Sequence, residues 1–275
     1  MPTKTKVRNM FDSIAGDYDA LNHILSLDVD KIWRKKALKQ IVDAPAPARV
    51  LDLACGTGDF SIAIAKALSR SHKRVGTPIE AHVKAPAKVP VEAQVTSTGF
   101  VTGDSGRSDL MTKGHVTGVD LSEGMLAVMR EKVAKAGLTE MISIEEGDGE
   151  NLRFPDNTFD RVTIAFGIRN FEDRPKGLRE MLRVLKPGGR LVILELSRPE
   201  NKVIRWFYDL YFLHILPKIG GKVSGDKAAY AYLPASVAAF PGKKAFMATM
   251  REAGFRTVTH KAFTLGICRM YTGEK

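Results

Sequence analysis

The residues with the clearest capacity for chemistry stand in Leu51-Asp-Leu-Ala-Cys-Gly-Thr-Gly-Asp59. Val50, Leu51 and Leu53 read as the end of a buried strand, and Phe60, Ile62, Ala63 and Ile64 open a helix. Gly56 and Gly58, flanking Thr57, let a ligand approach the backbone with a helix N-terminus behind it. The usual dinucleotide fingerprint is incomplete, because Ser61 stands near the place of its third glycine. The chain also lacks a Gly-Lys-Ser/Thr loop after this turn to hold a triphosphate. Three carboxylates mark comparable positions: Asp52 before the turn, Asp120 in His115-Val-Thr-Gly-Val-Asp-Leu121, and Asp148 in Gly147-Asp-Gly-Glu-Asn151. A carboxylate such as Asp120 offers two acceptors to the adjacent hydroxyls of a ribose. Any one of the three, taken alone, reads better as a helix cap, and it is their joint placement at strand ends that favours a ligand.

These residues need a sheet whose strand ends converge. Residues 6–43 read as helices, with Met10, Phe11, Ile14 and Ala15 on one face and Trp33, Ala37, Leu38 and Ile41 on another. After the glycine turn a helix runs to about Leu68. Strands follow at 115–121, 142–145, 159–165 and 190–196, with helices from Ser122 to Gly137 and from Arg174 to Leu185 between them. The tail carries a helix at about 243–253, a stop at Gly254, and strands at 255–261 and 263–272. Strand–helix alternation of this kind predicts an α/β fold: a doubly wound, mostly parallel, seven-stranded sheet in a single domain spanning 1–275. Residues 1–47 form its N-terminal helical lid. Residues 70–114, rich in Val, Thr, Ser, Gly, Pro, Lys and Ala, add roughly 40 residues to the ordinary spacing between glycine turn and ribose carboxylate and read as a surface insertion.

The turn with its preceding acid resembles motif I of the class I S-adenosylmethionine methyltransferases, a Rossmann-like family. The resemblance implies that Asp52, Gly56, Thr57 and Gly58 hold the methionine portion of S-adenosyl-L-methionine. It assigns Asp120 to the ribose, Met125 to the adenine face, Asp148 and Gly149 to the adenine edge, and Ala165 to the floor beneath the methyl group.

The segment after the fourth strand selects the acceptor. Methyltransferases of amino groups commonly carry Asn/Asp-Pro-Pro-aromatic there, whereas this chain has Ala165-Phe-Gly-Ile-Arg-Asn170. With Met10-Phe-Asp-Ser-Ile-Ala15, Tyr18-Asp-Ala-Leu-Asn22, Arg183-Val-Leu-Lys-Pro-Gly-Gly189, Tyr230-Ala-Tyr-Leu-Pro234 and Ala253-Gly-Phe255, it resembles the demethylmenaquinone/2-polyprenyl-benzoquinol C-methyltransferase family from about residue 7 to 275, outside 70–114. Relatives often have serine at the position of Ala165, so contact there falls to the backbone. The resemblance implies C-methylation of a prenylated hydroquinone in quinone biosynthesis, demethylmenaquinol to menaquinol. A phenol near pKa 10 must lose its proton to activate the ring carbon. Arg169 suits that step as a fixed cation or as the holder of a water, with Tyr18 and Asn22 assisting. An ion pair of Arg169 with Glu172 or Asp173 is the competing structural reading.

Composition agrees with a globular protein: 275 residues, 44% hydrophobic and 27% charged. Two cysteines, Cys55 and Cys268, form no disulfide framework, and the N-terminus has no apolar leader, so a cytoplasmic setting is expected. The six histidines lack ligand spacing, and no metal is expected. A net charge of +11 asks for an acidic partner or serves solubility. The aromatic run Val203–Pro217 is too short to span a bilayer and reads first as a core helix, second as a tunnel wall touching the inner face of the membrane through Trp206. Nucleic acid is not expected as a partner, and homo-oligomer formation stays open. Methylation of another phenolic or lipid molecule is the alternative, ahead of an RNA-binding methyltransferase.

Overall fold

Seven strands share one sheet: β1 (Arg49–Leu53), β2 (His115–Asp120), β3 (Ile142–Glu146), β4 (Phe159–Ala165), β5 (Leu185–Leu196), β6 (Arg256–Phe263) and β7 (Cys268–Glu274). The structure, a computed structural model, describes residues 3–16, 18–19, 26, 28–44, 47–75, 114–211 and 227–275. Among these, eight α-helices occur: α1 (Lys4–Ile14), α2 (Val29–Ile41), α3 (Asp59–Val75), α4 (Glu123–Lys135), α5 (Arg174–Val184), α6 (Lys202–Leu210), α7 (Lys227–Ala238) and α8 (Lys243–Glu252). The strand order is β3-β2-β1-β4-β5-β7-β6. Strands β1 to β5 run parallel, and β7 lies antiparallel between β5 and β6. The winding reverses between β1 and β4. That reversal opens the crevice at the carboxyl edge where open α/β sheets bind ligands.

Period-two alternation decides which face each strand residue serves. Val50 joins a core built with Trp33 and Ile41 of α2, Ile64 of α3 and Met129 of α4. Its neighbours Leu51 and Leu53 join the opposite core, under Leu178 and Met181 of α5 and Phe246 of α8. Asp52 therefore points to the Val50 side, where Ser61 of α3 meets it. Burial of each large side chain in these layers contributes about 1.5–3 kcal/mol. The cores hold the strand ends still.

Three boundaries differ from the sequence expectation. Helix α3 continues past Leu68 to Val75. Strand β5 begins at Leu185, which pairs with Phe159, and Lys186-Pro-Gly-Gly189 forms an irregularity before Arg190 pairs with Arg161. Within the expected core helix at 203–217, the described part is α6, and Tyr208 is its one buried residue. Val203 and Trp206 are 65% and 62% exposed, so this face does not cover the sheet. Residues 76–113 of the insertion expected at 70–114, and Asn22, lie outside the described residues.

Candidate active site

The glycine turn is built for close approach. Gly56 has φ +55°, and a Cβ there would meet nothing within 4 Å, so the position faces open space. Gly58 has φ +84° but serves packing: a Cβ there would collide with Met129 of α4. Ala54 and Phe166, which follow β1 and β4, also adopt positive φ, at 49° and 62°. Such conformations cost energy in non-glycine residues and gather at functional sites. A Cβ on Gly167 would lie 2.5 Å from that of Ala54, so the two strand ends meet only because residue 167 is glycine.

Two joined clefts open at this edge. The larger, of about 780 Å³ and open to solvent, is lined by Asp120, Met125, Asp148 and Gly149. The smaller, of about 370 Å³, is lined by Asp52, Thr57, Arg34 and Asp59. Tyr18, Gly56, Ala165 and Phe166 border both. The residues expected at adenosine thus gather in one compartment, and those expected at the methionine end gather in the other. Gly58 borders neither among the described contacts.

Asp120 is held ready rather than free. Gly56 N–H donates to its Oδ2 and Ser122 N–H to its Oδ1, each at 2.9 Å. Each oxygen keeps a second lone pair for a hydroxyl. Burial raises its pKa, opposed by those backbone hydrogen bonds. Asp52, 1% exposed, accepts a 2.6 Å hydrogen bond from Ser61 Oγ. Burial pushes its pKa up to about 7, the Ser61 bond and the Arg34 charge only partly offsetting it. A buried carboxyl poised this way fits a cationic ligand, whose charge would supply what burial removes. The open face at Gly56, the paired acceptors of Asp120 and the acid of Asp52 all suit S-adenosylmethionine.

The N-terminal segment roofs these clefts. Val7 and Phe11 of α1 line the larger one. Asp12 accepts from Ser122 Oγ at 2.6 Å and from Gly124 N–H at 3.0 Å, capping α4 from outside. Lys4 donates to Asp148 Oδ2 at 2.6 Å and lies 2.8 Å from Glu150 Oε2. Asp148 therefore meets an ammonium from the roof. Thr57 Oγ1 donates to Asp19 at 2.5 Å, and Lys132 bridges Asp19 and Asp59. These contacts pull the Tyr18–Asp19 segment onto the glycine turn.

Arg169 follows β4 in a short 3-10 turn, and its guanidinium is buried. Its partner is neither Glu172 nor Asp173. Nη1 lies 2.8 Å from Oε1 of Glu195, a fully buried residue of β5. Arg169 also donates to Ser236 Oγ at 3.3 Å and to the Phe166 carbonyl. Asp173 instead caps α5 through Lys176 N–H, and the Glu172 N–H donates to Glu150. Burial works to lower the Arg169 pKa, but the Glu195 charge keeps it raised. Tyr18 lies within electrostatic reach of both Arg169 and Arg34, and burial raises its pKa against those charges. Its hydroxyl stays protonated at neutral pH and can donate. Tyr232 donates to Asn170 Oδ1 at 2.9 Å in the same cluster.

Comparison with known proteins decides the family. The sequence model of the ubiE/COQ5 methyltransferase family matches residues 2–275. The chain belongs to the ubiE/COQ5 methyltransferase family. Relatives within the ubiE/COQ5 group include the ubiquinone/menaquinone biosynthesis C-methyltransferase of Geobacter sulfurreducens, 43% identical over 98% of this chain and 88% of its own length. The demethylmenaquinone methyltransferase of Deinococcus radiodurans is 42% identical over 98% of this chain and 92% of its length. Among solved structures, an S-adenosylmethionine-dependent methyltransferase of Thermotoga maritima superposes with a TM-score of 0.55 at 18% identity, covering 97% of this chain and 99% of that one. The [4+2]-cyclase SpnF reaches 0.62 at 15%, covering 100% and 96%. These structural likenesses establish the fold of the ubiE/COQ5 member, a class I methyltransferase sheet.

Sequence reasoning missed Glu195, Asp12, Lys4 and Arg34. Glu195 had a visible signal: a lone carboxylate inside Leu191-Val-Ile-Leu-Glu-Leu196 must find a cation if the strand is buried. Asp12 and Lys4 act across more than a hundred residues and leave no local pattern.

Proposed function

We propose that this methyltransferase adds a methyl group to a ring carbon of a prenylated hydroquinone, with demethylmenaquinol as substrate. The observation that carries the reading is the near full-length match to demethylmenaquinone methyltransferases, such as that of Deinococcus radiodurans. S-adenosylmethionine, when bound, supplies an electrophilic methyl. Asp52, Gly56 and Thr57 hold its amino-acid end in this reading, and Asp120, Met125, Asp148 and Gly149 its adenosine, with the backbone of Ala165 beneath the methyl.

The acceptor must be made nucleophilic. Loss of one phenolic proton places electron density on the ortho carbon, and the carbon that gains the methyl releases its hydrogen as a proton. Arg169, fixed by Glu195, Ser236 and the Phe166 carbonyl, offers an immobile positive charge to the phenolate. It is too basic to be the base itself. Tyr18 donates a hydrogen bond, and Asn22 assists.

The prenyl tail implies work at a membrane surface. Among the described residues no helix is long and apolar enough to cross a membrane. Helix α6 nevertheless exposes Val203, Trp206, Phe207 and Leu210 along one stripe, while its inner residue Tyr208 feels the Arg169 charge. Lys202 and Lys244 are exposed, and the whole chain carries +11. This face fits the inner, anionic surface of a bilayer. Sedimentation with anionic vesicles should carry the protein down, and Trp206→Ser with Phe207→Ser should release it. A concentration-dependent doubling of mass without vesicle binding would assign the stripe to a second copy instead. The reaction itself is tested anaerobically: the reduced acceptor should gain one methyl and the oxidised quinone none.

A further inference from the structure

We infer that Arg34 binds the α-carboxylate at the amino-acid end of the cofactor. The inference rests on S-adenosylmethionine as the ligand and on the smaller cleft as the place of its amino-acid end. That end is a zwitterion beside a sulfonium, so its pocket must supply one cation and at least one acid. Among the described residues lining the smaller cleft, Arg34 is the single cation, facing Asp52 and Asp59. Asp52 comes from β1 and Arg34 from α2, so the two charges are presented by different elements.

Arg34 is positioned but not spent. Its Nη1 donates to Asp59 Oδ2 at 3.1 Å, and Nη2 lies 3.4 Å from Asp30 Oδ2. Its guanidinium carbon sits 5.8 Å from the centre of the Phe166 ring, over the strand end where the two clefts join. The side chain is 15% exposed, and Nε has no hydrogen-bond partner among the described residues. Asp59 has a second cation besides Arg34, because Lys132 Nζ sits 2.5 Å from its other oxygen. A guanidinium carries five donors in a fork that matches a carboxylate, and Asp59 takes one of them. Asp59 and Asp30 thus act as struts that aim the fork.

The test compares ligands rather than rates. Calorimetry on the full chain would titrate S-adenosylmethionine, its decarboxylated analogue, and 5′-methylthioadenosine, which lacks the whole amino-acid end. The wild type should prefer the carboxylated cofactor over the decarboxylated one by about 10- to 100-fold, the scale of a charge-assisted hydrogen bond. Arg34→Met should abolish that preference and leave 5′-methylthioadenosine binding unchanged. Arg34→Lys should retain part of it. Equal wild-type affinity for the two cofactors, or a preserved preference in Arg34→Met, would overturn the inference. An Arg34→Met protein that loses 5′-methylthioadenosine as well would overturn it in favour of a purely structural role. Should that variant fail to fold, the wild-type ligand pair and Arg34→Lys still decide. If no adenosyl ligand binds the wild type, the cofactor reading falls and takes the inference with it. None of these titrations contains a quinol, so they leave the acceptor question separate.

Discussion

Arg169 and Glu195 form a buried ion pair, with Nη1 2.8 Å from Oε1 and the Arg169 N–H 3.1 Å from Oε2. Glu195 also accepts from the Leu196 N–H at 2.8 Å, so each of its oxygens is engaged. One carboxylate on β5 thereby fixes both the backbone and the side chain of the residue assigned to the acceptor. Removing one partner of a buried pair leaves an uncompensated charge and costs about 3–5 kcal/mol. Glu195→Ala is expected to lose stability on that scale in denaturant unfolding. A loss below about 1 kcal/mol would mean that water or another acceptor takes over the Arg169 guanidinium.

Arg169→Lys tests the chemical role while keeping the charge. A lysine ammonium cannot reproduce the fork to Glu195, Ser236 and the Phe166 carbonyl. Turnover should fall by roughly two orders of magnitude, as when one preorganised electrostatic group is lost. Cofactor affinity should barely change, and raising the pH should partly restore the rate because more quinol ionises unaided. Normal turnover would leave Arg169 as a structural ion-pair residue.

Asp120→Ala addresses the ribose carboxylate. The variant loses acceptors for two hydroxyls and also frees the Gly56 and Ser122 N–H groups. Affinity for S-adenosylmethionine should drop by about 2–4 kcal/mol, or roughly 30- to 1,000-fold. Calorimetry giving unchanged affinity in a folded variant would remove Asp120 from the site.

Asp52 makes the ligand-free protein sensitive to pH. Its carboxyl is near 3.8 unfolded and raised to about 7 in the fold, mainly by burial. Between these values the folded state holds more protons than the unfolded state, so this group's contribution to stability falls as pH rises. The contribution is fully present below about pH 4 and lost once pH passes about 7. Asp120, also raised by burial, adds a slope of the same sign. Melting temperatures from pH 4 to 8 should decline less steeply in Asp52→Asn than in the wild type. Parallel curves would show that Asp52 titrates normally.

The legible part of this molecule lies along β1 to β5. β1, β2 and β4 are short, mostly apolar runs, and the cleft-lining residues stand at or just past their ends. Asp52, Gly56, Asp120, Asp148 and Ala165 come together at the clefts for that reason, since strand ends of a parallel sheet converge. Gly58 shows the limit of the pattern: the motif marks it, but Met129 explains it. The period of helix α6 fits a core helix and a surface helix alike, and only the position of neighbouring elements tells which side of it is covered. Arg34 and Asp12 escaped because both act from N-terminal helices on distant strand ends, a relationship that no local spacing encodes.

Methyl transfer from a deuterium-labelled cofactor is the most direct test of the assigned activity. With S-adenosylmethionine carrying a trideuterated methyl and anaerobic demethylmenaquinol, the product should carry the label on a ring carbon, with that carbon's hydrogen gone. Mass and proton resonance spectra of the extracted quinone read both facts at once. Label on a phenolic oxygen, or on RNA offered in the same mixture, would contradict C-methylation of a hydroquinone as the activity of this protein.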